Sequence, residues 1–374
     1  MRRVYWRNTA VSRRALTLIA FVAVASVLAA ETLLVRVKQP WFEEKMQAAQ
    51  LCRQAMEVIK QEKLKRGYAI DAEFDPAATG LIGLPISPVT SNTGHLNAKQ
   101  ISANPNFAAV VVHLLQDAGV GRGDVIAIEF SGSFPSLNMA TYAAVQVLGL
   151  EPIAISGASA SQYGANYPEF VWLDMERVLF DRRVFRFRSR AASRGGVDDR
   201  GLGMSRLGRG MLDRAIARNQ QERIDSNSLM EAIDRHKEVY DRLSKGRPVA
   251  AFINVGGAAA SVGTFVGKRQ FKPGLNRRLP RSGTRIDSVM ARFAGQGVPV
   301  IHLTQVAELA ERYGLALEPT KNLRLGDSRV FVRDEYSRWL AGAGLALVLA
   351  LMLAIVRLDV GVRLQGRGKE APRA

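Results

Sequence analysis

Two long apolar runs lie near the two ends of the chain, at residues 15–35, where the run continues past Glu31, and at residues 339–356. A helix of ~20 residues crosses the hydrocarbon core of a bilayer, so each run predicts a transmembrane helix. Arg and Lys residues flank the outer end of each run, and this positive charge predicts cytoplasmic tails at residues 1–14 and 357–374. The protein is therefore expected in the cell (inner) membrane with its middle part outside. A cleaved secretory signal is the alternative for the first run, and it would export the middle part equally.

The chain between these runs alternates between helix-like and strand-like patterns. Residues 36–74 have apolar positions at helical spacing, which predicts a membrane-proximal helical stalk. Residues 75–338 form the predicted extracytoplasmic α/β domain. Its apolar runs predict strands at 124–130, 152–156, 170–174, 249–255 and 298–303, with helices at 106–118, 136–148, 205–219, 228–243, 285–294 and 305–313. Alternation of this kind is typical of an α/β fold with a mainly parallel sheet and helices on both faces.

Composition and charge narrow the classes of partner. The single cysteine, Cys52, has no partner for an internal disulfide, and the four histidines are too far apart in sequence for a metal-ligand motif. Of the net charge of +18, +5 lies in residues 1–14 and +3 follows Val356, which leaves +10 on the rest. A basic exported surface favours an anionic polymer or anionic lipid headgroups, although solubility alone would also explain it. Nucleic acid is not expected outside the membrane.

Small polar residues follow three of the predicted strands. Ligands bind at the carboxyl ends of strands in open α/β sheets, so these loops are the candidate site. Neither a Rossmann fingerprint nor a Walker A loop occurs, so no nucleotide cofactor is predicted. The Gly-x-Ser-x-Gly motif of a nucleophile elbow is absent as well. The alternative is a set of ordinary serine-capped turns. The candidate residues in these loops are Ser131, Ser133, Asn138, Ser159, Asn166, Asn254, Gly256 and Gly257.

A glycine-flanked polar segment at residues 195–203 adds Asp198, Asp199 and Arg200 to the candidates. Adjacent aspartates on an extended segment face opposite sides, so an acid/base pair of carboxylates is not expected. Two interpretations stay open. One aspartate pairs with Arg200 or binds a cation or a substrate amine, or the segment is a solvated surface turn. Glu129 and His302 fall within strands and are expected to be buried polar groups.

Several segments together resemble the membrane-anchored family called poly-gamma-glutamate system protein. The resembling segments are residues 131–138, 157–166, 172–176, 195–203, 254–257, 273–276 (which adds the candidate Asn276) and 297–303 (which contains His302). They follow one another through most of the middle part, and the anchors at both ends are similar. The resemblance implies a process, the synthesis or export of poly-gamma-glutamate, and no catalytic residues. The basic stretches at 182–190 and 268–285 make this chain more cationic than the family pattern.

Three functions follow as alternatives. The leading one is an accessory component that binds poly-gamma-glutamate, or the synthase subunits, through the α/β domain. A hydrolase or transferase that trims or attaches the polymer is the second, with Ser133, Asn138, Asp199 and Asn254 as its candidate site. A scaffold for the membrane subunit of the synthase is the third. Polar loops at the strand ends favour binding over a scaffold, and the lack of an activated nucleophile in the sequence favours binding over catalysis.

Overall fold

The structure is a computed structural model that describes residues 13–279, 286–321 and 323–357. Its helices are α1 Arg13–Thr32, α2 Phe42–Lys65, α3 Leu96–Ser102, α4 Phe107–Ala118, α5 Pro135–Leu148, α6 Trp172–Asp181, α7 Arg206–Arg218, α8 Leu229–Ser244, α9 Ala259–Val262, α10 Phe265–Gln270, α11 Val289–Gly295, α12 Val306–Tyr313 and α13 Arg338–Arg357. Its strands are β1 Leu34–Lys38, β2 Thr90–Asn92, β3 Val125–Ser131, β4 Glu151–Gly157, β5 Ala160–Ser161, β6 Asn166–Tyr167, β7 Phe170–Val171, β8 Ala191–Ser193, β9 Glu222–Arg223, β10 Val249–Val255, β11 Gly274–Asn276, β12 Val300–Leu303 and β13 Val332–Tyr336.

The chain divides into two units. The terminal unit comprises the residues up to Lys38 and those from Val332 onward, and the central unit comprises Gln39–Phe331. In the terminal unit, α1 contacts α13, and β1 pairs antiparallel with β13. Both helices are long and apolar enough to cross a membrane. Gly344 allows the close approach of the two helices, because a Cβ at this position would lie 2.8 Å from that of Ser26.

A seven-stranded sheet forms the centre of the central unit, in the order β11-β12-β10-β3-β4-β8-β9. All its neighbouring strands are parallel except β11, which runs antiparallel to β12. The chain moves outward from β3 through β4 and β8 to β9, then returns to place β10 on the other side of β3. The predicted mainly parallel sheet is confirmed. Its direction of winding changes between β3 and β10, which is where open α/β sheets bind ligands.

Alternation along β3 explains why both faces of the sheet are covered. Ala127 belongs to a core that contains Phe252 and, from α11, Phe293, whose rings are stacked at 4.9 Å. Phe130 points the other way and packs edge-on against Tyr142 of α5 and near Trp172 of α6, at centroid distances of 4.8 and 5.7 Å. Strands buried on both faces have continuous apolar sequences, and this is the pattern that predicted them.

The structure corrects three predicted elements. The helix within the predicted stalk, α2, packs against α4 and α5 and buries Ala48, Cys52 and Ile59 completely, so it is a layer of the central unit. The predicted strand at 170–174 is cut short at Val171. There the Asp174 carboxylate accepts a hydrogen bond from the Val171 amide at 2.9 Å and so caps α6. The predicted helix at 285–294 begins at Val289, and its first predicted residue lies outside the described part of the chain.

The stacked aromatic pair gives a test of this core. Replacing Phe252 with Ala removes a fully buried ring and should lower the free energy of unfolding by about 3–5 kcal/mol. Leu207→Ala is the control, because Leu207 is 60% exposed and its truncation should cost less than about 0.5 kcal/mol. Urea unfolding followed by tryptophan fluorescence measures both, and equal effects would contradict the described packing.

Candidate functional site

A cleft of about 510 Å³ lies at the carboxyl ends of the central strands. Along its wall, Ser131 ends β3 and Ser133 follows it, Gly157 ends β4 and Ser159 follows it, and Gly257 follows β10. The segment 195–198 after β8, the segment from β2 into α3, and residues of α9 and α10 also line it. Of the thirteen residues predicted from the sequence, the structure places five on this cleft: Ser131, Ser133, Ser159, Asp198 and Gly257.

The serine hydroxyls of the cleft are linked to one another. The Ser131 hydroxyl donates to Ser133 Oγ at 3.0 Å, and the Ser161 amide donates to the same oxygen at 3.0 Å. Ser133 therefore joins the loop after β3 to the loop after β4. Its own hydroxyl proton has no acceptor among the residues that the structure describes. The Ser133 hydroxyl is thus available as a hydrogen-bond donor at the cleft.

Lys99 of α3 is a cleft residue that sequence reasoning missed. Its ammonium nitrogen donates to Ser161 Oγ at 2.8 Å and to the Ser133 carbonyl, and it lies 3.8 Å from the centroid of the Phe134 ring. Only 3% of Lys99 is exposed. Burial lowers the pKa of Lys99 to about 7, and the positive charge of Lys268 acts in the same direction. At neutral pH a large share of this amine is therefore uncharged.

Lys268 of α10 supplies the second cationic group of the cleft. Its Nζ would lie 3.3 Å from a Cβ added at Gly257, so the absence of a side chain at Gly257 makes room for it. Burial also lowers the pKa of Lys268. Asp198 is the single acidic residue among the described lining residues. The cleft therefore has the charge and the hydroxyl donors to hold a carboxylate.

The segment 195–203 turns sharply on left-handed backbone. Gly195, Gly196, Gly201 and Gly203 all have φ between +66° and +82°, and the two aspartates between them have φ of +53° and +63°. Residues that have a side chain rarely adopt this backbone conformation, which explains why the segment contains so many glycines. Asp198 faces the cleft, whereas Asp199 is 4% exposed and turns inward.

Asp199 belongs to a buried ionic cluster beneath the cleft. His236 of α8 lies between two carboxylates, with Nε2 2.8 Å from Asp199 Oδ2 and Nδ1 2.8 Å from Glu129 Oε1. Ser193 donates to Asp199 at 2.7 Å, and the Tyr240 hydroxyl donates to Glu129 at 2.8 Å. Asp199 thus pairs with His236 and not with Arg200, the partner considered from the sequence.

The charge state of His236 follows from these neighbours. Burial alone would lower the pKa of His236, but the Glu129 and Asp199 carboxylates outweigh it and raise the pKa to about 10. The imidazole is therefore charged at neutral pH. This cluster fixes the 195–203 segment to both the sheet and α8.

The remaining predicted residues stabilise loops instead of lining the cleft. The Asn138 amide donates to the Ser131 carbonyl, and the Asn166 side chain bonds both backbone groups of Leu84. Asn276 closes a turn on Lys272. The predicted enzymatic set of Ser133, Asn138, Asp199 and Asn254 therefore does not converge. The predicted residues that are absent from the lining are Asn138, Asn166, Asp199, Arg200, Asn254, Gly256, Asn276 and His302.

Asn254 and His302 form a separate buried pair on β10 and β12. The Asn254 amide bonds His302 Nδ1 at 2.9 Å, and Ser261 donates to Asn254 Oδ1 at 2.6 Å. Burial lowers the pKa of His302 to about 3, with the charge of Lys268 acting in the same sense. His302 is therefore neutral at physiological pH. Three strands separate β12, which carries His302, from β8, which precedes Asp199, so these two residues do not form part of a serine-histidine-aspartate relay.

The basic stretch at 182–190 does not line the cleft. Arg182 bonds the Glu62 carboxylate, and Arg188 donates to the Asn219 carbonyl at 3.1 Å. These arginines hold neighbouring helices together. The second basic stretch, 268–285, contributes Lys268 to the cleft, while residues 280–285 lie outside the described part of the chain.

The ionic cluster predicts a specific pH dependence of stability. Because the folded-state pKa of His236 lies above the 6.5 of an unfolded histidine, its stabilisation is complete below pH 6.5 and is lost as pH rises toward 10. His236→Gln leaves two buried carboxylates uncompensated and should cost about 3–5 kcal/mol at pH 6.5. The difference between wild type and variant should shrink from pH 6.5 to 10 in urea unfolding. A constant difference, or the same loss in the exposed control His95→Gln, would contradict a charged His236.

The sequence gives little signal for the two most informative side chains, Lys99 and His236. Each occupies one position on an amphipathic helix far in sequence from its partners. Within the described ranges, no group of three or more His, Cys, Asp or Glu side chains is arranged to hold a metal ion. Comparison of the chain with known protein families, characterised proteins and solved structures gives no match.

Proposed function

We propose that this protein is an accessory component of poly-gamma-glutamate synthesis or export that binds the polymer in the strand-end cleft. Its terminal helices anchor it in the cell membrane, and its central unit lies outside. One observation carries the proposal: Lys99, Lys268 and five serine hydroxyls meet in a single cleft with one lining carboxylate. This combination suits a ligand that bears both carboxylates and amide carbonyls.

The division of charge within the cleft supports a carboxylate as ligand. Lys268 is half-buried and lies over Gly257 in the wall of the cleft, so it is placed to meet an anionic group. Lys99 lies deeper and is occupied by Ser161 and the Ser133 carbonyl. Partial desolvation strengthens an ion pair at Lys268 relative to one at an exposed lysine.

The resemblance noted in the sequence supports the choice of polymer. Four of the resembling segments, at 131–138, 157–166, 195–203 and 254–257, contribute residues to this one cleft. The features shared with the poly-gamma-glutamate system protein family are thus concentrated where a ligand would bind. A site built for a ligand favours polymer binding over a purely structural association with the synthase subunits.

Membrane topology is the first prediction. Cys52 is buried, and burial raises the pKa of its thiol, so the native chain should not react with maleimides. Leu207→Cys introduces an exposed thiol in the central unit, and Ala374→Cys introduces one at the end of the chain. With a membrane-impermeant maleimide on intact spheroplasts, Leu207→Cys should be labelled and Ala374→Cys should be labelled only after permeabilisation. The opposite pattern would overturn the proposed orientation.

Polymer binding is the second prediction. The full-length protein in nanodiscs of zwitterionic lipid should bind fluorescent poly-gamma-glutamate, with affinity that falls steeply as salt rises through 0.15 M, where the Debye length is ~8 Å. Lys268→Ala removes a charge-assisted contact and should weaken binding roughly ten-fold or more. Lys65→Ala deletes the same charge from an exposed position outside the cleft and should have little effect. Equal losses in the two variants, or binding that ignores salt, would argue against the cleft as the polymer site.

A further inference from the structure

The cleft contains a lysine and a serine in the arrangement of a catalytic dyad. Lys99 Nζ and Ser161 Oγ are 2.8 Å apart, and both residues line the cleft. In the part of the chain that the structure describes, no histidine is hydrogen-bonded to Ser161. We propose that Ser161 is a nucleophile activated by Lys99, and that the cleft cleaves or transfers an acyl group from an amide through a covalent ester on Ser161.

The surroundings of Lys99 suit the role of general base. A lysine can accept the serine proton only when it is uncharged, and burial together with the nearby Lys268 lowers its pKa to about 7. The Ser133 carbonyl and the Phe134 ring hold the amine in place. Lys268 lines the same cleft as the dyad, so it is placed to hold a carboxylate of the substrate.

The surroundings of Ser161 suit the role of nucleophile. Its backbone amide donates to Ser133 Oγ, and its place in β5, paired with β2, fixes the backbone. Gly94 faces the hydroxyl, since a Cβ at Gly94 would lie 3.1 Å from Ser161 Oγ. The same Cβ would lie only 2.5 Å from the Gln162 carbonyl oxygen, so a glycine at this position allows the backbone to pack closely beside the nucleophile. The unused hydroxyl proton of Ser133 is available to a developing oxyanion.

The chemistry closes without a further cofactor. Lys99 takes the Ser161 proton while Ser161 Oγ bonds to the amide carbon, and the electron pair of the C=O bond moves to oxygen. Collapse of this adduct breaks the C–N bond, and the Lys99 ammonium protonates the leaving amine. Water then attacks the ester with Lys99 as base, which releases the acid and restores Ser161; an incoming amine in place of water gives transfer. That the amide belongs to poly-gamma-glutamate rests on the proposed function, whereas the dyad does not.

The dyad is tested by covalent labelling of the full-length protein in detergent with a fluorophosphonate, followed by intact-mass analysis and peptide mapping. We expect one adduct, on Ser161, at a rate that rises with pH through the range in which Lys99 becomes uncharged. Ser161→Ala and Lys99→Met should each reduce the rate at least 100-fold with unchanged thermal unfolding. Ser226→Ala is the control, because Ser226 does not line the cleft, and its labelling rate should change less than three-fold.

Other outcomes overturn the dyad. A wild-type protein that is not labelled between pH 6 and 9, or an adduct that survives Ser161→Ala, would do so. If Lys99→Met lowers the melting temperature, the pH profile of the wild type decides, since a purely structural lysine predicts a flat rate across pH 7.

A second readout separates this inference from the proposed function. Fluorescent poly-gamma-glutamate is incubated with wild type and with Ser161→Ala, and both bound polymer and chain length are measured. We expect the wild type to shorten the polymer and Ser161→Ala to leave its chain length unchanged. Labelling of Ser161 without polymer binding would retain the dyad and reject the proposed ligand. Polymer binding without labelling of Ser161 would retain the proposed ligand and reject the dyad.

Discussion

The charged imidazole of His236, held between the buried carboxylates of Glu129 and Asp199, connects three parts of the central unit that are distant in sequence. Glu129 is on the central strand β3, Asp199 is in the glycine-rich turn, and His236 is on the helix that covers one face of the sheet. Burying any one of these charges alone would be strongly unfavourable. The turn, the strand and the helix must therefore keep their relative positions, because only then do the three charges stay paired.

The geometry of the cleft depends on these relative positions. The turn that contains Asp199 also carries Asp198 into the cleft, and β3 continues from Glu129 directly into Ser131 and Ser133. The small residues of these loops let several backbones approach one another closely. Gly132, for example, would place a Cβ only 2.8 Å from the Ser159 carbonyl oxygen. Polar groups that are weakly constrained on separate loops are in this way brought to fixed positions.

The sequence predicted the sheet better than the site. Strands β3, β4 and β10 are continuous apolar runs between glycines, so they were found within one residue at each end. Strand β8 was missed because it is only three small residues after an arginine-rich stretch, and its pairing with β4 is a tertiary interaction. The loops were located correctly because sheet topology dictates where strand ends meet. The sequence does not show which of the candidate residues line the cleft. An asparagine or aspartate such as Asn138 or Asp199 has the same sequence signature whether it stabilises a loop or binds a ligand.

The β1–β13 ribbon has a consequence for the unfolded chain. It pairs Lys38 with Val332, so the two ends of the central unit are held at neighbouring points by a pairing outside that unit. When the central unit unfolds while the ribbon and the terminal helices persist, roughly 300 residues form a closed loop in place of a free chain. Closure lowers the conformational entropy of the denatured state, and a covalent cross-link of comparable span has an effect on the order of 5 kcal/mol. Loss of helix pairing at the chain ends would thereby destabilise a domain whose own contacts are unchanged.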